Sequence, residues 1–423
     1  MLPTRSLIAL AFLLLCSPWA ALPAPAEDWP GWRGPRGDGS SLEKNVPTRW
    51  NGPEGTNIAW KVEIPGRGHA SPIVSGERIF LVSCREAEGD RVLLCLDRAN
   101  GRILWEQVVV NAPLEGKHRL NSHASSTPAT DGKLVYVSFL DRTEMLVAAY
   151  DFSGKRQWLV RPGEFFSRHG YCSPPLLFKD LVIVNGDHDG DGYLVALDRT
   201  TGRTVWKRPR VNHTRSYCPP IIRQINGRTQ MVLSGSLCVA SYDPHDGSRH
   251  WIIDGPTEQY VASLVYNGEL LFMTAGFPEF HIIAIRPDGQ GNVTDSHVVW
   301  HTTKGCSYVP SPIIGGGGKY FLVVSDTGIA SCFEAAAGER HWMQRIGPHY
   351  SASLVEAEGL VHFLSDEGVT TIVRPGPEFD VVAENRLGEN CYASPAISRG
   401  RIYLRAEKHL YCVAGEGTRD ERR

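Results

Sequence analysis

Apolar and polar positions alternate along most of the chain in short runs, each closed by Gly, Asn-Gly or Pro. From Ser71 onward, "SPIVSG", "RIFLVS", "VLLCLD" and "ILWEQVV" read as four successive strands, A to D. A period of two turns one face of each strand toward a core. The outline then returns. "LLCLDRANGRILW" (Leu93–Trp105) is echoed by "YLVALDRTTGRTVW" (Tyr193–Trp206), "CVASYDPHDGSRHW" (Cys238–Trp251) and "IASCFEAAAGERHW" (Ile329–Trp342). In each, an acid follows a small residue by two positions, Gly follows the acid by four, and Trp follows Gly by four.

Eight strand-A starts precede these fragments: Ser71-Pro72, Thr127-Pro128, Ser173-Pro174, Cys218-Pro219, Ser263-Leu264, Ser311-Pro312, Ser353-Leu354 and Ser394-Pro395. Trp recurs at 60, 105, 158, 206, 251, 300 and 342, a mean period of 47. A four-stranded propeller blade needs about 40–50 residues. The last repeat, "YASPAISRGRIYLRAEKHLYCVAG", supplies strands A, B and C only, while "NIAWKVEIPG" (Asn57–Gly66) is a lone strand D. Placing that strand on the last blade closes the ring and removes an open edge. The expectation is an all-β, eight-bladed β-propeller of four-stranded antiparallel blades, closed by an N-terminal strand completing the last blade. Seven blades is the alternative, because repeat seven has lost its Asp and Trp.

The recurring motif has a structural reading. Its acid can bond the amides of the C–D turn, Gly takes the backbone conformation other residues resist, and Trp is a wide apolar plate for the neighbouring blade. The residues so assigned are Asp97, Gly101 and Trp105; Asp151, Gly154 and Trp158; Ala196, Asp198, Gly202 and Trp206; Asp243, Gly247 and Trp251; and Gly338 and Trp342.

Composition narrows the class. The 423 residues carry a formal net charge of −2, which gives no electrostatic case for nucleic acid or an anionic membrane surface. The opening reads as a secretory signal over residues 1–26, with Arg5, an apolar run from Leu7 to Leu15 and the Ala24-Pro25-Ala26 cleavage pattern. Cys16 follows leucines rather than a small residue, which argues against lipid anchoring, and no later segment is long and apolar enough to span a membrane. The mature protein is expected to be exported, periplasmic or extracellular. A covering segment is expected over 27–56, the propeller over 57–415 and a disordered polar tail over 416–423. Nine cysteines remain after the signal, an odd number, so at least one thiol is free or pairs between chains. Cys95, Cys238, Cys332 and Cys412 read as small buried hydrophobes.

"ALDRTTGRTVW" (Ala196–Trp206) resembles the tryptophan-docking motif of the pyrroloquinoline-quinone (PQQ)-type propeller repeat. That family covers quinoprotein alcohol dehydrogenases and the outer-membrane-protein assembly factor BamB. The resemblance runs from Trp60 to Gly415, and "DWPGWRGPRGDGSS" (Asp28–Ser41) resembles an opening common among its exported members. In that preface, Trp29 and Trp32 read as pins for the covering segment. The resemblance implies a propeller that either binds partners or holds a quinone with calcium. The adjacent cysteines on which the dehydrogenases stack their cofactor are missing, and neither calcium ligands nor a catalytic aspartate can be matched.

Candidate chemistry gathers just before strand A, where D–A connections converge on the channel mouth: His69, His123, His169, Tyr171, Cys172, Tyr217, Cys218, Tyr260, Cys306, Tyr308, His349, Tyr350, Cys391 and Tyr392. Such residues could stack a planar ligand or hold a soft metal, or could pack on the next blade as scaffold. The loop "DHDGDG" offers Asp187, Asp189 and Asp191, with Asp198 at the twelfth position, a spacing that imitates a calcium loop; Asp and Gly are also ordinary hairpin residues. No phosphate loop, Gly-x-Ser-x-Gly elbow or His-Glu-x-x-His occurs. The leading expectation is a non-catalytic binding scaffold of the cell envelope, BamB-like, with a protein or other macromolecular partner and no required cofactor. The alternatives are a quinoprotein-like oxidoreductase with PQQ and calcium in the channel, and a propeller that binds carbohydrate or another small ligand.

Overall fold

The computed structural model describes residues 26–415; the tail expectation and, apart from Ala26, the signal expectation fall outside them. Eight separate sheets follow one another around the chain, each built on four antiparallel strands. The first blade is Ile73–Ser75, Arg78–Arg85, Asp90–Asp97 and Ile103–Asn111. The eighth takes Ala396–Ser398, Arg401–Arg405 and His409–Ala414 from the C-terminal end and Ile58–Glu63 from the N-terminal end, joined as an antiparallel pair. The architecture is a β-propeller of eight blades, closed as the sequence predicts. Blade seven is complete despite its lost motif, over Val355–Ala357, Leu360–Leu364, Val369–Arg374 and Asp380–Arg386.

The motif's small residue is explained by register. Cys95, Ala149, Ala196, Ser241, Ala284, Cys332 and Cys412 each lie directly opposite the Trp of their own blade. Just before each Trp, strand D slips by one residue in a β-bulge, which tilts the indole out of its own sheet. Blade seven reverses the pairing, with Ile372 opposite Ala383, so a large residue still fills the space from the other strand.

Six of the seven indoles reach the next blade's C–D turn. Nε1 of Trp60 donates to the Arg98 carbonyl at 3.2 Å, Trp105 to Phe152 at 2.9 Å, Trp158 to Arg199 at 3.0 Å and Trp206 to Pro244 at 3.2 Å. Gly202 lies beneath Trp158 at φ +74, where an added Cβ would stand 2.7 Å from the ring. Only glycine satisfies both demands. Trp251 departs from the pattern. Blade five replaces the turn with an insertion that adds Gly291–Asn292 alongside Arg249–Asp254, and Trp251 donates to Gln230 Oε1 of its own blade at 2.8 Å.

The small residues that open strand A also interlock. The amide of Ser71 donates to Thr127 Oγ1, that of Ser263 to Ser311 Oγ, that of Ser311 to Ser353 Oγ and that of Ser353 to Ser394 Oγ, all at 2.9–3.0 Å. Hydroxyls thus pass a hydrogen bond from blade to blade around the channel wall, where a bare backbone amide would be costly.

The covering segment crosses that channel. Trp29 exchanges two main-chain hydrogen bonds with Val74 of blade one, both 2.9 Å, while Trp32 Nε1 donates to Ser263 Oγ of blade five at 2.9 Å. Blades one and five lie opposite each other in an eight-membered ring, so the run between them spans the axis. Arg33 is buried inside, donating from Nη2 to the carbonyls of Pro312 at 2.7 Å and Asp38 at 2.5 Å. Ser40–Ser41 then pairs with blade seven, and Trp50 is buried beside His362. His362 is 2% exposed and burial holds its imidazole down at about 4. Its folded value lies below the unfolded one of about 6.5, so the unfolded chain binds the proton first. Stability is therefore expected to fall as pH drops from about 6.5 toward 4. Thermal midpoints across that window should flatten in His362→Phe; equal slopes for both proteins would contradict this.

Candidate functional site

The D–A and B–C connections share one face, with the channel mouth at its centre. The structure divides the predicted mouth residues into two groups. Tyr171, Tyr217, Cys218, Tyr260, Cys306, Tyr350 and Cys391 are buried in the wall rather than presented to a ligand. The Tyr171 hydroxyl donates to Ser138 Oγ at 3.1 Å and the Tyr350 hydroxyl to the Ile346 carbonyl at 3.1 Å. These side chains pack in the wall, the scaffold alternative that the sequence left open for them. His69, His123, His169, Cys172, Tyr308, His349 and Tyr392 are partly exposed. His123 is taken up locally, by the Glu115 carbonyl at 3.0 Å and Glu86 at 3.2 Å.

The remainder form two clusters. On one side, His169 Nδ1 meets the Tyr217 hydroxyl at 3.1 Å, and the Tyr308 hydroxyl donates to Gln259 Oε1 at 2.8 Å. Arg215 pairs there with Asp189 at 2.5 Å and Glu258 at 3.4 Å. Burial pushes the Cys172 thiol up to about 12, so it is a poor nucleophile at neutral pH. On the other side, His69 packs against Tyr392 with ring centroids 4.6 Å apart and planes tilted by 33°. Burial, the Arg405 guanidinium and the Lys117 ammonium hold His69 down at about 3, and it stays neutral. Beside it, His349 Nδ1 lies 2.5 Å from Asp366 Oδ2, and a cavity of about 220 Å³ opens between Arg119, His349, Asn390 and Tyr392.

The four carboxylates of the predicted calcium loop are not brought together. Asp187 is fully buried and paired with Arg210 at 2.7 Å; Asp189 is held by Arg215; Asp191 is fully exposed. Asp198 pairs in the ladder with Leu181, at the opposite end of the blade from Gly186 and Tyr193 that flank the loop, and accepts the amides of Thr200 and Thr201. Among the described residues no group of three or more His, Cys, Asp or Glu is arranged to hold a metal ion. The nine described cysteines are all free.

Sequence reasoning missed the B–C turn aspartates. Asp326 accepts the amides of Tyr308 and Val309, and Asp366 accepts the amide of Ser351, each tying its turn to the start of strand A. The signal was present as the repeated Ser-Asp-x-Gly of Ser325–Gly328 and Ser365–Gly368. It also missed Arg405, a buried guanidinium that donates to the Val82 carbonyl and has no carboxylate partner among the described residues.

An eight-bladed ring held by tryptophan clasps defines a class of repeat propeller. The chain matches the PQQ-like family model described as "Outer membrane protein assembly factor BamB" over residues 48–141 and 90–265, more than half its length, and it belongs to that family. A search of curated protein sequences finds no match. Solved structures share the fold. BamB from Moraxella catarrhalis aligns with TM-score 0.57 at 14% identity, covering 84% of this chain and 96% of that one. The quinohemoprotein alcohol dehydrogenase from Comamonas testosteroni aligns with TM-score 0.66 at 12% identity, covering 92% and 81%. A europium-containing methanol dehydrogenase aligns with TM-score 0.62 at 13% identity, covering 92% and 98%. Among the described residues no helix is long and apolar enough to cross a membrane.

Proposed function

We propose that the protein is a non-catalytic scaffold of the cell envelope that binds a protein partner through its D–A and B–C face. The observation that carries this reading is the placement of exposed apolar side chains. Leu120, Phe166, Val211, Leu237, Phe277 and Phe280 are 37–51% exposed, and all six stand on connections of that one face. Large apolar groups gathered on one loop face mark an interaction surface. The family model's description as an assembly factor agrees with such a role.

The residues present do not fit a quinone with its calcium. The carboxylates nearest the mouth are committed, Asp189 to Arg215 and Asp366 to His349 and Ser351, and the mouth aromatics pack on one another. The covering segment also fills the far side of the channel.

The test is site-specific photo-crosslinking in the native envelope. Probes at Phe166 and Phe277 should each yield a discrete protein adduct, while probes at Val108 and Val381, on outer strands, should not. Absence of face-specific adducts would overturn the reading. So would purified protein that reduces a dye with an alcohol after reconstitution with PQQ and calcium.

A further inference from the structure

Two D–A connections bring unpaired basic residues to the same rim of the mouth. One carries "KHR", Lys117 to Arg119, and the other carries "RH", Arg168 and His169. They are fastened together: the His118 amide donates to the His169 carbonyl at 3.3 Å, Asn121 Nδ2 donates to the same carbonyl at 2.8 Å, and the two imidazoles meet edge-on at 5.6 Å. Several other arginines of this face are neutralised, although Arg142, Lys304 and Lys408 also stand there singly. Arg215 has Asp189 and Glu258, Arg67 has Glu407, Arg85 has Glu106 and Arg91 has Glu115. Among the described residues Lys117, Arg119 and Arg168 make no ion pair, and Arg119 and Arg168 are exposed.

Three uncompensated cations within one rim, on a chain of net charge −2, form a local positive field. It reaches inward, since Lys117 and the buried Arg405 both disfavour charge on His69. The exposed apolar groups Leu120 and Phe166 stand on the same two loops. Arg119 and Leu120 also border the 220 Å³ cavity, whose far wall holds Asp366, hydrogen-bonded to His349 and Ser351, and the exposed Glu367.

We propose that this rim binds an acidic peptide segment of the partner, one that alternates carboxylate and large apolar side chains. The cations receive carboxylates, with Arg able to hold one through two parallel hydrogen bonds, while Leu120 and Phe166 receive the apolar side chains. A purely anionic surface would leave those two groups unmatched, which favours a peptide over a lipid bilayer or nucleic acid. The inference rests on the partner-binding reading and names the chemistry of its partner.

The test uses the mature protein and a fluorescein-labelled decapeptide of alternating Glu and Phe or Leu, with its Lys counterpart as control. Anisotropy at low salt should show binding of the Glu peptide alone, weakening as ionic strength rises. Charge reversal at Lys117→Glu, Arg119→Glu and Arg168→Glu together should weaken it at least tenfold. Reversal of Arg102→Glu and Arg203→Glu, on the opposite face, should leave it unchanged. The triple variant must retain the wild-type thermal midpoint; if it does not, single Gln substitutions at the same positions are compared instead. Equal binding by the folded variants would overturn the inference, as would capture of phosphatidylglycerol vesicles or a single-stranded oligonucleotide in preference to the peptide. Adducts from Phe277 in wild type alongside unaltered peptide binding in the variants would sink the acidic partner and leave the scaffold standing. Absence of any adduct in wild type would sink the scaffold itself.

Discussion

Arg210→Ala is expected to lower the unfolding free energy by about 3–5 kcal/mol, the usual cost of removing one partner from a buried ion pair. Arg210 and Asp187 have fully buried side chains with Nε and Oδ1 2.7 Å apart. The guanidinium also donates to the Tyr242 hydroxyl and, at 3.1 Å, to the Gly235 carbonyl, so one side chain ties blade three to blade four. Burial raises the Asp187 carboxyl, with the Arg210 charge opposing the rise. Its Oδ2 has no hydrogen-bond partner, so loss of Arg210 strands an already strained carboxylate. Urea unfolding of Arg210→Ala beside the paired Asp187→Asn, Arg210→Met variant decides the matter. The pair should recover much of the loss because no charge is left buried. A loss under about 1 kcal/mol in the single variant would contradict this assignment.

Deleting residues 26–63 should abolish the cooperative folded state. It removes the strand that pairs with His409–Ala414 and leaves an open edge on blade eight. It also removes the indole of Trp60 from Arg98 and Gly101 of blade one, so the ring loses its closing clasp. Circular dichroism should show no sharp thermal transition for the truncated chain. Appending residues 57–66 after the C-terminus through a flexible linker should restore one, since the pairing asks only for the strand and not for its place in the sequence. A wild-type midpoint in the truncated protein would refute the closure argument.

The blade count, the closing strand and the tryptophan clasp were legible because each repeats: Asp97 and Gly101 announce a turn, and the same turn returns at Asp198 and Gly202. The small residue two places before the acid was visible but had no reason until Cys95 was found opposite Trp105. The mouth was less legible. A Tyr before strand A can turn inward, as Tyr260 does at 0% exposure, or remain half-open like Tyr308, and the difference depends on side chains of the next blade. The aspartates of "DHDGDG" misled because strand direction separates Asp187 from Asp198, whereas spacing along a chain treats them as neighbours. Trp251 deceived in the opposite way, keeping the motif where its docking turn had been replaced.

The bond between Trp32 and Ser263 spans 231 residues of sequence. A propeller blade is a local object, yet this contact and the pairing of Ile58–Glu63 with His409–Ala414 have very high contact order. Blades can condense in succession, but the cross-channel run can seat only after blades five and six exist, and the closing strand only after blade eight. Folding should therefore finish with a slow phase in which the first-made residues are the last to lock.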